Sequence, residues 1–213
     1  MGETIRVEHI TKQFRGHTVL DDVSLACESG RIYGIVGYNG SGKTVLFKCI
    51  CGFYFPDRGD IYIRGKKMGK DVDMIQNAGV IIEEPSFLKQ YSGLHNLQLL
   101  YRLNHKKDTE KLKRTMELTG LNPAEKKAVE KYSLGMKQRL AIAQAIMEEQ
   151  DILILDEPMN GLDKDGVAHM RNLFLNMKEE GRTLLFASHN KEDIDSLCDE
   201  VYEMDQGKLQ RIR

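Results

Sequence analysis

The fold of this chain is decided by the stretch Gly37-Tyr38-Asn39-Gly40-Ser41-Gly42-Lys43-Thr44. It matches the pattern G-x-x-x-x-G-K-[ST], and it lies between an apolar strand pattern at 31–36 and an apolar helical pattern at 45–50. In such a loop the backbone amides of small residues close around phosphate oxygens, and the helix N-terminus adds partial positive charge. The stretch therefore predicts a nucleoside triphosphate site, in which Lys43 would reach the β- and γ-phosphates and Thr44 would bind Mg²⁺.

The second half of this chemistry requires an acidic residue at the end of a neighbouring strand. The apolar run at 152–155 predicts a buried parallel strand, and Asp156 and Glu157 follow it directly. Open α/β sheets bind ligands at the carboxyl ends of their strands. We therefore expect Asp156 to hold the metal ion, and Glu157 to orient a water molecule and accept its proton during attack on the γ-phosphate.

The rest of the pattern predicts an α/β fold, with a P-loop core built on a mainly parallel sheet, an N-terminal antiparallel β subdomain and a helical insertion. Strands are expected at 4–26 around a turn at 15–17, and at 31–36, 59–64, 79–82, 151–155, 182–187 and 200–204. The segment from about Pro85 to Gly135 has no convincing strand pattern and is predicted to be helical throughout. We predict one domain over 1–213, with a core at about 1–84 and 140–213 and a helical subdomain at about 85–139.

Composition narrows the class of protein. The 213 residues carry 31 Lys+Arg against 32 Asp+Glu, which disfavours a nucleic-acid binder that works through bulk positive charge. No uncharged stretch approaches the roughly 18–20 apolar residues that cross a bilayer. Residues 102–139 carry 11 Lys+Arg against 5 Asp+Glu, whereas residues 148–205 carry 5 against 16. These regions are either solvated helix faces or surfaces that complement a partner or a second copy of the chain.

The N-terminus and the cysteines bear on the compartment. Charged residues stand where a signal peptide would place its apolar run, so we expect a chain that is not secreted. Cys27, Cys49, Cys51 and Cys198 lack the paired spacing of a zinc site. We expect them to be buried, reduced thiols of a cytosolic protein.

Two shorter matches favour a different P-loop class, the GTP-binding switch proteins. Residues 163–166 fit D-x-x-G, and residues 190–193 fit the N-K-x-D pattern that binds guanine. A GTPase, however, has no use for the octet Tyr132-Ser133-Leu134-Gly135-Met136-Lys137-Gln138-Arg139. Its serine and glycine, at the start of a predicted helix, form a second anion site. Two phosphate-binding helix ends far apart in sequence indicate a nucleotide held between two copies.

With these motifs the chain resembles the ATP-binding subunits of ABC transporters, whose signature LSGGQ-x-Q-R is similar to the octet. The resemblance covers essentially the whole chain, and its motifs come in the family's order. It implies the following roles: adenine stacking by Phe14, a Walker A loop at 37–44, a Walker B aspartate at Asp156, a catalytic glutamate at Glu157, a contact to the opposite subunit from Asp163 in the D-loop, γ-phosphate sensing by His189, and contacts from Ser133 and Gly135 to the ATP of the opposite subunit. Residues 190–193 then begin the next helix.

Several positions depart from the family pattern. Glu83 stands where the family usually has glutamine, and an ionised glutamate only accepts hydrogen bonds, so Glu83 could bind the metal ion or its water but could not donate to phosphate. Val45 replaces a hydroxyl residue that often follows the Walker A threonine. Leu134 and Met136 replace a glycine and a glutamine of the signature.

Glu83 before a proline, together with the segment YSLGMKQRL, resembles the bacitracin-type and lantibiotic-type branch, whose members act in peptide-antibiotic export, immunity or sensing. The resemblance implies an ATP- and Mg²⁺-dependent ATPase that works as a dimer at the cytoplasmic face of the cell membrane. It would drive a separate membrane-spanning permease through the surface near Glu83 and residues 85–91. A lipid or drug cargo, a non-transport ABC-type ATPase and a GTPase switch are the alternatives.

Overall fold

The first sheet of the computed structural model, which describes residues 2–84 and 86–213, is antiparallel. Its order is β2-β1-β4-β5, with β1 at Glu3–Phe14, β2 at His17–Glu28, β4 at Arg58–Ile63 and β5 at Lys66–Lys67. Arg15 and Gly16 join β1 to β2 with φ of 49° and 83°, the two positive values that a two-residue hairpin loop needs. The N-terminal antiparallel subdomain is therefore confirmed, with long irregular strands in place of several short ones.

The second sheet has six strands in the order β10-β9-β3-β8-β7-β6. They are β3 at Ile32–Val36, β6 at Ala78–Ile81, β7 at Ile152–Asp156, β8 at Thr183–Ala187, β9 at Glu200–Asp205 and β10 at Lys208–Arg211. All neighbouring strands run parallel except β9 and β10. The central strands are apolar on both faces, which explains why short apolar runs predicted them correctly.

The helices cover both faces of this sheet. They are α1 at Lys43–Cys51, α2 at Gly93–Tyr101, α3 at Thr109–Leu118, α4 at Leu134–Ile146, α5 at Lys164–Glu179 and α6 at Lys191–Leu197, with a 3-10 turn at Val129–Lys131. Side chains alternate along β7, so Ile152 and Ile154 face α1 and the first sheet, whereas Leu153 and Leu155 face α4 and α5. The layers are therefore antiparallel sheet, α1, six-stranded sheet and outer helices.

The prediction of a helical segment over 85–135 is wrong in part. Helices α2 and α3 form, but residues 119–128 carry no helix, because Gly120 takes φ +72° at the end of α3. Helix α4 begins at Leu134 and is capped by Ser133, so the serine and glycine of the octet lie at the start of a helix, as predicted. Pro85 lies outside the described residues. Helix α4 contributes to both the outer core and a third cluster with α2 and α3, and the predicted subdomain boundaries stay a prediction.

All four cysteines are free thiols, and Cys27, Cys49 and Cys51 are buried as predicted, whereas Cys198 is only partly buried. Burial raises the pKa of Cys49 to about 11 and that of Cys51 to about 12. A thiol with so high a pKa stays protonated near neutral pH and is a poor nucleophile.

Across residues 2–84 and 86–213, none of the helices combines the length and the apolar character that a bilayer span requires.

Candidate functional site

The phosphate loop connects β3 to α1 at the carboxyl end of the parallel sheet. Gly37 has φ +149°, and a Cβ there would overlap the carbonyl oxygen of Met204 on β9. A glycine is therefore required where the chain leaves β3. Tyr38, Asn39 and Gly40 are exposed, whereas Ser41 and Gly42, which directly precede α1, are buried.

Two polar side chains of the phosphate loop, those of Lys43 and Ser41, are placed where an anion can bind. Lys43 is buried, and its Nζ donates to the carbonyl oxygens of Gly37 at 2.7 Å and Tyr38 at 3.1 Å. The Oγ of Ser41 is also buried, and within the described residues it has no hydrogen-bond partner. A buried hydroxyl without a partner, beside an ammonium group and a helix N-terminus, fits a bound phosphate group.

Thr44 and Asp156 lie in contact. The first turn of α1 presents the Thr44 hydroxyl, which donates to Asp156 Oδ2 at 2.7 Å at the end of β7. Among the residues that the structure describes, no three His, Cys, Asp or Glu side chains are grouped as metal ligands. Mg²⁺ needs no such group, because it commonly binds through one or two protein oxygens together with phosphates and water. This pair fits that ion.

Glu157 and His189 form a second pair. Glu157 has φ +51°, its backbone N–H donates to the Ala187 carbonyl at 2.9 Å, and its carboxylate lies beside Asp156 at the end of β7. His189 follows β8, and its Nδ1 is 2.9 Å from Glu157 Oε2. This contact is an ion pair when the imidazole carries a proton on both nitrogens. The arrangement can hold a carboxylate in place for proton transfer.

Glu83 follows β6, the strand beside β7. Its Oε1 accepts from Lys48 Nζ at 2.6 Å. The hydrogen bond to Glu83 raises the pKa of Lys48. Sequence reasoning missed Lys48, although it stands four residues after Thr44 and therefore on the same face of α1.

One cavity of about 960 Å³ gathers most of these residues. It is lined by Val19, Asn39, Gly40, Gly42, Lys43, Thr44, Val45, Glu83, Glu84, Leu134, Lys137, Gln138, Asp156, Glu157 and Asn160. Part of the phosphate loop and the acidic ends of β6 and β7 thus face the same space, whereas Gly37, Tyr38 and His189 line a second cavity.

Phe14 lies at the end of β1 and is absent from the cavity lining. Its ring is half-buried and meets the ring of Tyr54 edge-on, with centroids 5.2 Å apart, while Lys12 Nζ lies 5.4 Å from its centroid. The aromatic surface expected for adenine is therefore present, but it is also used for packing.

The signature octet lies at the start of α4. Ser133 is exposed, and its Oγ accepts from the Met136 amide at 3.2 Å; Gly135 packs close to the carbonyl of Gly161. Asp163 caps α5 by accepting from the Gly166 amide at 3.1 Å, and it lies 3.6 Å from Arg139 of α4. Ser133 and Gly135 are not part of the cavity lining of their own chain, whereas Leu134 is.

Comparisons with known proteins agree with this geometry. A family model described as ABC transporter matches residues 20–160. The uncharacterized ABC transporter ATP-binding protein YybJ of Bacillus subtilis (strain 168) is 43% identical over 97% of this chain and 94% of its own length. The bacitracin transport ATP-binding protein BcrA of Enterococcus faecalis is 36% identical over 98% of this chain and 68% of its own length.

A third relative, the lantibiotic transport ATP-binding protein SrtF of Streptococcus pyogenes, is 30% identical over 96% of this chain and 88% of its own length. Among solved structures, the dimeric bacterial ABC transporter cassette MJ0796 matches with a TM-score of 0.87 over 98% of this chain and 99% of its own. At 19% identity this last likeness shows the fold alone.

Proposed function

The chain belongs to the ATP-binding subunits of ABC transporters and is an ATPase, and on this premise we propose how its residues divide the work. The observation that carries the proposal is the cavity that Lys43 and Thr44 of the phosphate loop line together with Asp156 and Glu157. ATP binding and hydrolysis both take place there.

The triphosphate is bound by the backbone amides of residues 37–44 and by the Ser41 hydroxyl. Lys43 exchanges the carbonyls of Gly37 and Tyr38 for the β- and γ-phosphates, since a charged oxygen is a stronger acceptor than a neutral one. Thr44 and Asp156 each provide an oxygen to Mg²⁺, which neutralises phosphate charge when it is bound. Phe14 stacks on the adenine; its place at the end of β1 supports this role.

Hydrolysis depends on Glu157. Its carboxylate accepts a proton from the attacking water, and the 2.9 Å contact with the His189 imidazole holds it in place. The His189 imidazole lies close to the end of β7. When the γ-phosphate is bound there, its charge also acts on His189 and on the segment that follows β8. Glu157 is the general base, and His189 orients it.

In the GTPase alternative, residues 190–193 would bind guanine, but two of these residues have structural roles. The Asn190 side chain caps α6 by accepting from the Glu192 amide at 2.9 Å. Asp193 is buried and is paired with Arg171 of α5 at 2.5 Å. Residues tied up in this way are poorly placed to bind a guanine base.

Two copies of the chain enclose the nucleotides. The solved cassette MJ0796 is dimeric, and in this chain the exposed Ser133 lies with Gly135 at the N-terminus of α4, where an anion can bind. We propose that these residues bind the γ-phosphate held by the opposite copy, and that Asp163 touches that copy near its cap of α5.

The partner and the cargo follow from the family. Subunits of this kind work with a membrane permease, and we propose contact through Glu83 and residues 86–91, where Leu88 and Tyr91 are exposed, at the junction of the core and the proposed subdomain at 85–139. This places the chain at the cytoplasmic face of the membrane. The names of BcrA and SrtF favour a peptide antibiotic as the cargo.

Nucleotide competition tests the proposal. We expect unlabelled ATP to displace a fluorescent ATP analogue at least about tenfold better than GTP does, because Asn190 and Asp193 of the guanine-binding pattern are held in structural contacts. Lys191→Ala should leave both affinities within about twofold. A preference for GTP that Lys191→Ala abolishes would establish the GTPase alternative instead.

A further inference from the structure

The Glu83 carboxylate stands at the cavity in an uncommon conformation. It lies two residues beyond β6 with φ +62°, a value that few residues other than glycine adopt. Its side chain is 65% exposed and lines the cavity, whereas that of its partner Lys48 is 18% exposed. The Lys48 side chain is therefore mostly covered by the protein. The Glu83 carboxylate is paired with it and is exposed to the cavity.

Lys48 is held from two sides. It projects from α1 one turn after Thr44, and its Nζ lies 5.6 Å from the centroid of the Tyr54 ring. The ring of Tyr54 is fixed in turn against Phe14. A lysine restrained in this way loses little additional freedom when it binds a carboxylate, unlike an ordinary surface lysine.

The charges around the cavity indicate a role for the ion pair of Lys48 and Glu83. Four carboxylates line it, those of Glu83, Glu84, Asp156 and Glu157. The proposed ligand is itself a polyanion, and the Lys43 ammonium is assigned to its phosphates. An unpaired carboxylate at position 83 would repel the ligand, whereas a glutamine there would not.

We propose that Lys48 is a positioning residue that fixes the Glu83 side chain and offsets its charge, so that this chain can keep a carboxylate beside the bound triphosphate. The inference rests on the proposed function. With Oε1 bonded to Lys48, Oε2 is left to accept a hydrogen bond from water in the cavity, and the negative charge near the phosphates is reduced.

The test compares four proteins by isothermal titration calorimetry with the slowly hydrolysed analogue AMP-PNP and Mg²⁺: the parent, Lys48→Met, Glu83→Gln, and the double variant. Lys48→Met should weaken binding about five- to tenfold, the scale of one uncompensated charge near a bound anion. Glu83→Gln should bind AMP-PNP more tightly than Lys48→Met does, because it removes the carboxylate charge that Lys48 offsets. The double variant should bind within about twofold of Glu83→Gln, because the charge that Lys48 offsets is gone.

Two further variants serve as controls. Lys48→Arg keeps the charge and should restore binding to within about twofold of the parent. Lys111 is a matched lysine elsewhere, since it pairs with Glu149 at 3.1 Å and lies 5.8 Å from the ring centroid of Tyr101. Lys111→Met should leave binding unchanged.

The outcomes separate this inference from the proposed function. If the parent does not bind AMP-PNP, the proposed function fails, and the inference fails with it. If the parent binds and Lys48→Met binds equally well, the inference alone is overturned. It is also overturned if the double variant is as weak as Lys48→Met, because Lys48 would then act independently of the Glu83 charge.

Discussion

Gly37 shows how one residue sets the shape of the phosphate loop. Its φ of +149° is accessible to glycine, and any Cβ would overlap the Met204 carbonyl oxygen of β9. Gly40 also has a positive φ, 84°, but a Cβ there would meet nothing within 4 Å. The two glycines therefore differ in what surrounds them, and this difference can be measured.

We expect Gly37→Ala to lower the free energy of unfolding by about 2–4 kcal/mol, because backbone strain and a steric overlap add together. Gly40→Ala should cost about 1 kcal/mol, from the conformation alone. Urea unfolding of the two variants measures both effects. Equal losses would show that the contact with β9 does not constrain the loop.

Which contacts of the site could be foreseen also depends on the residue. Asp156 and Glu157 were predictable, because they follow an apolar run that ends at the phosphate-binding edge of the sheet. The pairing of Glu157 with His189 joins residues that are 32 positions apart, and only the family resemblance marked His189. Lys48 carried no such mark, since its partner lies on another strand and only folding brings the two together.

At the scale of elements, helix α4 combines structure and function at its first turn. Ser133 caps α4, and Ser92 caps α2 in the same way, by accepting from the His95 amide at 3.3 Å. The two serines have the same structural task, but only Ser133 belongs to the proposed site between two copies.

Ser133→Ala and Ser92→Ala should each lower the free energy of unfolding by about 1 kcal/mol, the usual cost of a lost N-cap. Only Ser133→Ala should also reduce ATP hydrolysis, by about tenfold or more, since it removes the proposed contact to the nucleotide of the opposite copy. Thermal unfolding and phosphate release measure the two effects. Similar hydrolysis rates for both variants would contradict the role of Ser133.

The elements that sequence analysis missed share a physical cause. Strands β5 and β10 are short and mainly polar, so they lack the apolar alternation by which a strand is recognised. Both lie at sheet edges, where backbone pairing with one neighbour forms them.

At the scale of the whole molecule, α1 is enclosed between the two sheets, and Cys49 and Cys51 are part of that core. Burial raises the pKa of both thiols above their ordinary value of about 8.5. At a pH between the pKa of these thiols in the unfolded state and their pKa in the native state, the native state keeps protons that the unfolded state has lost. The free energy of unfolding must therefore fall as the pH rises from about 9 to 11.

Cys49→Ala should flatten this dependence by about 1.4 kcal/mol per pH unit between pH 9 and 11, the contribution of one proton. Between pH 6 and 8 the slopes of the parent and the variant should agree, because the thiol is protonated in both states there. Urea unfolding across the pH range checks both statements. Identical slopes above pH 9 would mean that Cys49 is not shielded from solvent.

The charged residues are also distributed unevenly over the whole molecule. The net charge of −1 averages a basic segment at 102–139 with an acidic one at 148–205. The acidic segment includes Asp156 and Glu157, which line the same cavity as residues of the phosphate loop. The central claim is that ATP bound in this cavity is hydrolysed with Glu157 as the base.

Glu157→Gln tests that claim most directly, with Glu149→Gln as the control, because both glutamates have a positive φ and only Glu157 lines the cavity. ATP hydrolysis and ATP affinity are measured on the same preparations with Mg²⁺. Glu157→Gln should retain ATP affinity within about threefold and lose hydrolysis by about 100-fold or more, while Glu149→Gln keeps both. A Glu157→Gln protein that hydrolyses ATP at the parental rate would contradict the account.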